Sequence, residues 1–311
     1  MKHANPLVLS TLVAAILSTK GGVAKTTDTA NLGGWLADQG LKVLMIDADI
    51  RQPTLSSYYP LDYEAPGGIY ELIAHNELDP AMIVSHTAIP GLDIIISNDP
   101  RGELMSLLQA APDGVIRLRH LLRQIPGYDI ILIDTIGART IALEMVLLAS
   151  DLVISPVLPE MLSAREFLRG TLQMYQDLQP FTRYGIPLPP LKAVINKLDH
   201  TNDAREIHHN LLQVLQHKQQ EQELLVPTEI LMTPVYASVA YRRAASLGMP
   251  VHRLDAARPK GRTTPCAAET MRSLAEELFP QFISLPSLNR GASHETENLA
   301  GILLVLRPTT L

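Results

Sequence analysis

Two lysines and two threonines around a glycine pair, Lys20-Gly21-Gly22-Val23-Ala24-Lys25-Thr26-Thr27, are the densest phosphate-binding chemistry in this 311-residue chain. An apolar run, 13–17, precedes them and a helix-like segment, 28–39, follows. A glycine-rich turn that leaves a buried strand and opens a helix aims backbone N–H groups and the positive helix end at one spot, where phosphates bind. Lys25 would reach the β- and γ-phosphates and the Thr26 hydroxyl would hold Mg²⁺. Gly21, Gly22, Val23, Ala24 and Thr27 would line the rest of the cradle. The ordinary pattern G-x-x-x-x-G-K-[ST] is not met, because Thr19 and Ala24 stand at its glycine positions. The plain alternative is a Gly-Gly turn with two solvated lysines.

Carboxylates follow two other apolar runs. Asp47 and Asp49 come after Leu44-Met45-Ile46, with Asp49 twenty-four residues beyond Lys25. Acids at strand C-termini beside a phosphate loop lie in the crevice where open α/β sheets bind ligands. The alternative is that both cap the following turn. Ile130-Ile131-Leu132-Ile133 ends at Asp134, the hydrophobic-run-then-Asp form in which a carboxylate holds Mg²⁺ through water. Asn196-Lys197-Leu198-Asp199 closes a further apolar run and, taken alone, matches the N-K-x-D guanine signature of GTPases.

The extra Lys20 ahead of the glycine pair makes K-G-G-x-x-K-T-T, which resembles the deviant Walker A motif of the ParA/MinD family of ATPases. Asp151-Leu152-Val153-Ile154-Ser155-Pro156-Val157 with Pro159-Glu160, and Thr233-Pro234 through Arg242 to Gly248, Pro250 and Val251, resemble further family segments. After Asp134 the family usually carries D-x-P-P, where this chain has Ile136-Gly137. The resemblance implies ATP and Mg²⁺ as cofactors. It implies that Asp49 positions or activates the attacking water, that Asp47 supports the magnesium shell, and that Asn196 contacts adenine. Guanine stays the open alternative, which competition of ATP against GTP decides. Lys20, by the same resemblance, crosses into the site of a facing subunit in an ATP-bound homodimer and acts with Lys25 and Asp49 in catalysis.

What the family implies for function is a partition ATPase: the ATP dimer binds DNA without sequence preference, and a DNA-bound, ParB-like adaptor stimulates slow hydrolysis. Its place would be the cytoplasm, on the nucleoid. The net charge of −6 gives no general attraction to nucleic acid, yet between 241 and 272 seven basic residues face only Asp255 and Glu269. Arg242, Arg243 and Arg253 are the candidate DNA contacts, against the alternative of a solvated face with scattered arginines. Sequence-specific operator binding is not expected. A MinD-like membrane-cycling ATPase, a nucleotide-regulated switch with negligible hydrolysis, and a tyrosine kinase suggested by Asp47-Ala48-Asp49-Ile50-Arg51 are the rivals. The last tyrosine is Tyr241, so the C-terminal tyrosine cluster of such kinases is missing.

These groups need strands and helices that alternate. Short apolar runs alternating with helical patterns predict βαβ units, hence an α/β fold: a doubly wound, mostly parallel sheet with helices on both faces. Strands are predicted at 13–18, 42–46, 92–96, 130–133, 152–157 and 191–195, and helices at 26–39, 69–74, 101–107, 115–124, 142–149, 163–178, 203–216 and 267–279. Residues 1–285 are expected to form a single P-loop domain, and 286–311 a tail whose apolar segment, 301–306, docks on the body, adds an edge strand or meets a partner. The run 6–17 is too short to span a bilayer and is taken as a strand with its lead-in. The single cysteine, Cys266, excludes an internal disulfide framework.

Overall fold

The computed structural model describes residues 10–99, 101–199 and 201–283. The apolar segment at 301–306 lies outside them. Nine strands form one sheet: β1 (Leu12–Ile16), β2 (Val43–Asp47), β3 (Leu61–Tyr63), β4 (Ser85–Thr87), β5 (Leu92–Ile95), β6 (Ile130–Asp134), β7 (Leu152–Val157), β8 (Leu191–Ile195) and β9 (Thr228–Ile230). Their order is β3-β4-β5-β2-β6-β1-β7-β8-β9. All neighbours from β5 to β9 run parallel, and β3 and β4 add an antiparallel edge. The six predicted strands are all present. Strands β3, β4 and β9 are three residues each, too short to give a periodic signal.

β1, β2, β6 and β7 are apolar almost throughout because both faces of the sheet are covered, as parallel sheets require. One buried cluster lies under helices that include Ile141–Ala149, the other under α1 (Lys25–Asp38) and the helix Ala267–Leu278. With β6 and β7 on either side of β1, the loop after β1 emerges in the middle of the sheet's C-terminal edge, flanked by the ends of β6 and β7, with those of β2 and β8 next outward.

Helix limits differ from expectation where side chains intervene. The helix predicted from 101 begins at Leu104, because the Asp99 carboxylate accepts from the N–H groups of Glu103 and Leu104. The helix predicted from 203 runs Asn202–Gln220, carried on by Gln and Lys, good helix formers. The continuous helix predicted at 163–178 is instead Met161–Glu166, a π-helical turn Phe167–Thr171, and Leu172–Leu178. The wider turn brings Glu166 and Thr171 to the same side chain, Thr19, at 2.7 and 3.5 Å. A Cβ on Gly170 would fall 2.3 Å from the Thr19 hydroxyl, so glycine permits the approach. Among the described residues no helix is long and apolar enough to cross a membrane.

Candidate functional site

The residue before α1 is Ala24, in the left-handed region at φ 75°, with no side chain capping the helix. Other helices are capped by their own hydroxyls: Thr140 for Ile141–Ala149, Thr201 for Asn202–Gln220 and Ser238 for Val239–Ser246. The first N–H groups of α1 therefore remain available to an anion, supported by the helix dipole. They open into a cavity of about 730 Å³, within the range of small-molecule sites. Gly21, Gly22, Lys25, Thr26, Asp49 and Gly137 line one end, and Tyr236, Ser238, Tyr241 and Arg242 the other.

At the first end, the Thr26 hydroxyl donates to Asp134 Oδ2 at 2.6 Å. Asp134 Oδ1 is buried without a hydrogen-bond partner among the described residues. Burial, opposed by Thr26 and Lys25, pushes this carboxyl up to about 7. A divalent cation would satisfy the orphaned oxygen, so the pair Thr26 and Asp134 fits Mg²⁺. Asp47 is also buried, and burial raises it to about 6. Its oxygens accept from the Asp49 N–H and from the Ser56 N–H and hydroxyl, so it orders the loop behind the site. Asp49 Oδ1 accepts from the N–H groups of Arg51 and Gln52 in an Asx-type turn, while the residue lines the cavity. Lys25 is 7% exposed; burial lowers its pKa, while Asp134, Asp49 and Asp28 oppose that.

Lys20 is paired within its own chain, its Nζ 3.4 Å from Glu160 Oε2, with side chains 26% and 60% exposed. An exposed pair of this kind is worth at most about 1 kcal/mol and is readily exchanged.

On the opposite flank, Asn196 and Lys197 meet the phosphate loop. Asn196 is 2% exposed, and its Nδ2 donates both to the Val23 carbonyl (3.2 Å) and to Asp28 Oδ2 (2.6 Å). Its Oδ1 accepts from the Lys197 N–H at 2.8 Å. The amide expected to contact adenine thus links β8 to the phosphate loop and to α1. Lys197, itself at φ 53°, donates its Nζ to the Gly22 carbonyl at 3.0 Å. The N-K pair thus fixes two consecutive loop carbonyls.

The basic segment divides into paired and exposed residues. Arg253 donates to both carboxylate oxygens of Asp38 on α1, at 2.8 and 2.5 Å, so its guanidinium is taken up by a bidentate pair. Arg258 pairs with Glu269, and Arg262 with Asp255. Arg242 and Arg243 are exposed, and Arg242 borders the cavity.

Three contributors were not anticipated. Asp28 is 5% exposed, lines the cavity, and is pushed up to about 8 by burial, with Asn196 opposing. An acid in the first turn of a helix is ordinary by dipole reasoning, which concealed its burial. Gly137 packs so closely that a Cβ there would lie 2.6 Å from Gly21 Cα and 3.1 Å from Lys25 Nζ. Its signal was the glycine standing where D-x-P-P was expected. Glu166, across the π-helical turn, had no sequence signal.

A family model, AAA_31, described as an AAA domain, matches residues 11–184. The chain is 30% identical to the sporulation initiation inhibitor protein Soj of Bacillus subtilis over 146 residues, 47% of this chain and 57% of that protein. It is 26% identical to the probable plasmid-partitioning protein ParA of Thermus thermophilus over 281 residues, 88% of this chain and 80% of that one. The chain thus spans little over half the length of the first of these relatives. Among solved structures, the ATP complex of McdA from Cyanothece superposes with a TM-score of 0.67 at 21% identity, over 90% of this chain and 98% of that one. That last likeness is one of fold.

Proposed function

The chain belongs to the ParA/MinD family of P-loop ATPases, and from that premise we propose that it is a DNA-partition ATPase. It binds ATP with Mg²⁺, dimerises on ATP, holds DNA without sequence preference and hydrolyses ATP slowly until a DNA-bound adaptor stimulates it. The observation that carries this reading is the uncapped N-terminus of α1, on which Lys25, Thr26 and Asp134 converge.

In this reading Lys25 and the loop N–H groups bind the β- and γ-phosphates. Thr26 and Asp134 hold Mg²⁺, with Asp47 ordering the loop behind them. When bound, the cation neutralises charge on the phosphate oxygens, which is most of what phosphoryl transfer asks of a protein. Asp49 orients the attacking water, and Lys20 leaves Glu160 to complete the site of the facing subunit. The switch requires that ATP and ADP differ in affinity for the dimer.

The DNA surface that remains after Arg253, Arg258 and Arg262 are discounted is Arg242, Arg243, Lys260 and Arg272, none of which forms an ion pair among the described residues. Arg242 borders the nucleotide cavity, so a phosphate backbone held there lies close enough to respond to the bound nucleotide. The test is binding to duplex DNA of unrelated sequences with ATP or ADP, across rising salt. Binding that requires ATP, ignores sequence and weakens steeply with salt is expected. Equal binding with ADP, or binding indifferent to salt, rejects the proposal.

A further inference from the structure

We propose that Glu166 is a positioning residue for Lys20: through the Thr19 hydroxyl it holds the backbone from which the Lys20 amine is presented to a facing subunit. The proposal deepens, and rests on, the role given to Lys20 above.

The bracing by Lys197 reaches back only as far as the Gly22 carbonyl, and Gly21 and Gly22 stand between that carbonyl and Lys20. Gly22 lies in the left-handed region at φ 77°, and two glycines in series pass on little restraint. The Lys20 backbone is held instead from its N-terminal side. Its N–H donates to Ser18 Oγ at 3.2 Å, and the Thr19 hydroxyl donates to Glu166 Oε1 at 2.7 Å. Threonine is branched at Cβ and stiff at χ1, so a hold on its hydroxyl is a hold on its backbone.

The chain departs from a regular helix to make this contact. Residues five apart face different sides of an α-helix, whereas the π-helical turn Phe167–Thr171 pairs i with i+5 and brings Glu166 and Thr171 to one hydroxyl. A Cβ on Gly170 would overlap both the Glu166 carboxylate and the Thr19 hydroxyl. Glu160, at the N-cap of the same helical stretch, takes the Lys20 amine itself. The backbone is thus held by a part-buried bond and the amine by an exposed pair that exchanges readily. The amine can leave Glu160 while its backbone stays in place, as a group delivered across an interface requires.

Three measurements on the full chain test this: phosphate release at saturating ATP with Mg²⁺ and duplex DNA, dimer formation by sedimentation with AMPPNP and Mg²⁺, and calorimetric affinity for ADP. Glu166→Ala is expected to lower kcat by about tenfold to a hundredfold, the scale of a remote misplacement, and to weaken the dimer, with KM for ATP and Kd for ADP within about twofold of wild type. Glu166→Gln keeps an acceptor for Thr19 and is expected to restore turnover to within about threefold. Thr19→Val, which removes only the hydroxyl, is expected to match Glu166→Ala, and the double variant to be no worse than either single one. Turnover within twofold of wild type in Glu166→Ala or Thr19→Val overturns the proposal, as does an additive double variant or a loss of ADP affinity in step with kcat. Lys20→Ala in the same assays separates the two readings. If it is defective and Glu166→Ala is not, this proposal alone fails; if it is not, or if the wild type neither turns over nor dimerises, the role of Lys20 fails and this proposal with it.

Discussion

The two flanks of the phosphate loop are built to opposite rules. On the proposed base side the loop is held by bonds the chain makes to itself: Asn196 to Val23 and Asp28, and Lys197 to Gly22. On the proposed γ-phosphate side, among the described residues, Asp134 Oδ1 has no hydrogen-bond partner and the Lys20 amine has only an exposed pair with Glu160. The contrast separates the jobs of the loop. Its shape is set from the base side, where bonding capacity is spent, and its chemistry is left to the side where capacity remains.

The largest expected effect belongs to the open side. Lys20→Ala removes the amine proposed to act across a dimer, and groups supplied in that way are worth roughly 10³–10⁵ in rate. Stimulated phosphate release at saturating ATP is therefore expected to fall by about 10³ or more, while ADP affinity stays within about twofold because the lost pair with Glu160 is exposed. Turnover within tenfold of wild type sinks the role. It would also remove the main reason for calling that flank the chemical one.

Gly137→Ala tests whether closeness, not bonding, matters on the same side. A methyl there would meet Gly21 backbone at 2.6 Å, so the loop must shift. Overpacking of this kind costs about 1–3 kcal/mol, and Mg-ATP affinity is expected to weaken by about tenfold to a hundredfold. Lys197→Met, on the other flank, keeps the stem and deletes the bond to the Gly22 carbonyl. With Asn196 still bracing Val23, the loss is expected near 1 kcal/mol, or about fivefold in affinity. A Lys197→Met defect larger than that of Gly137→Ala reverses the order, and the division of labour proposed for the two flanks then fails.

Most of the frame was legible because parallel strands covered on both faces leave unbroken apolar runs, and β7 and β8 match their predicted limits. The loop residues and acids were legible as types at spacings. What each side chain does with its hydrogen bonds was not. Asn196 and Arg253 are ordinary in sequence, and only their meeting with Asp28 and Asp38, far away along the chain, decides what they are free to touch. The π-helical turn at Phe167–Thr171 was hidden for a related reason: its local sequence suits an α-helix, and the contacts of Thr19 with Glu166 and Thr171 that go with the wider turn lie across the fold.

The smallest effect concerns the residue where the two flanks join. Ala24 sits at φ 75°, a conformation that costs a residue with a Cβ about 1–2 kcal/mol. Ala24→Gly relieves that strain, but glycine gives back roughly 0.5–1 kcal/mol through the greater freedom of the unfolded chain. The net expectation is a gain of about 0.5 kcal/mol, seen as a higher denaturant midpoint with an unchanged slope. If the base-side bonds fix the loop, nucleotide affinity should not move with it, since Gly22 and Val23 remain held by Lys197 and Asn196. An affinity that improves by more than about threefold would mean that the strain at Ala24 works against the bound shape, and that the bracing on the base side is insufficient to set it.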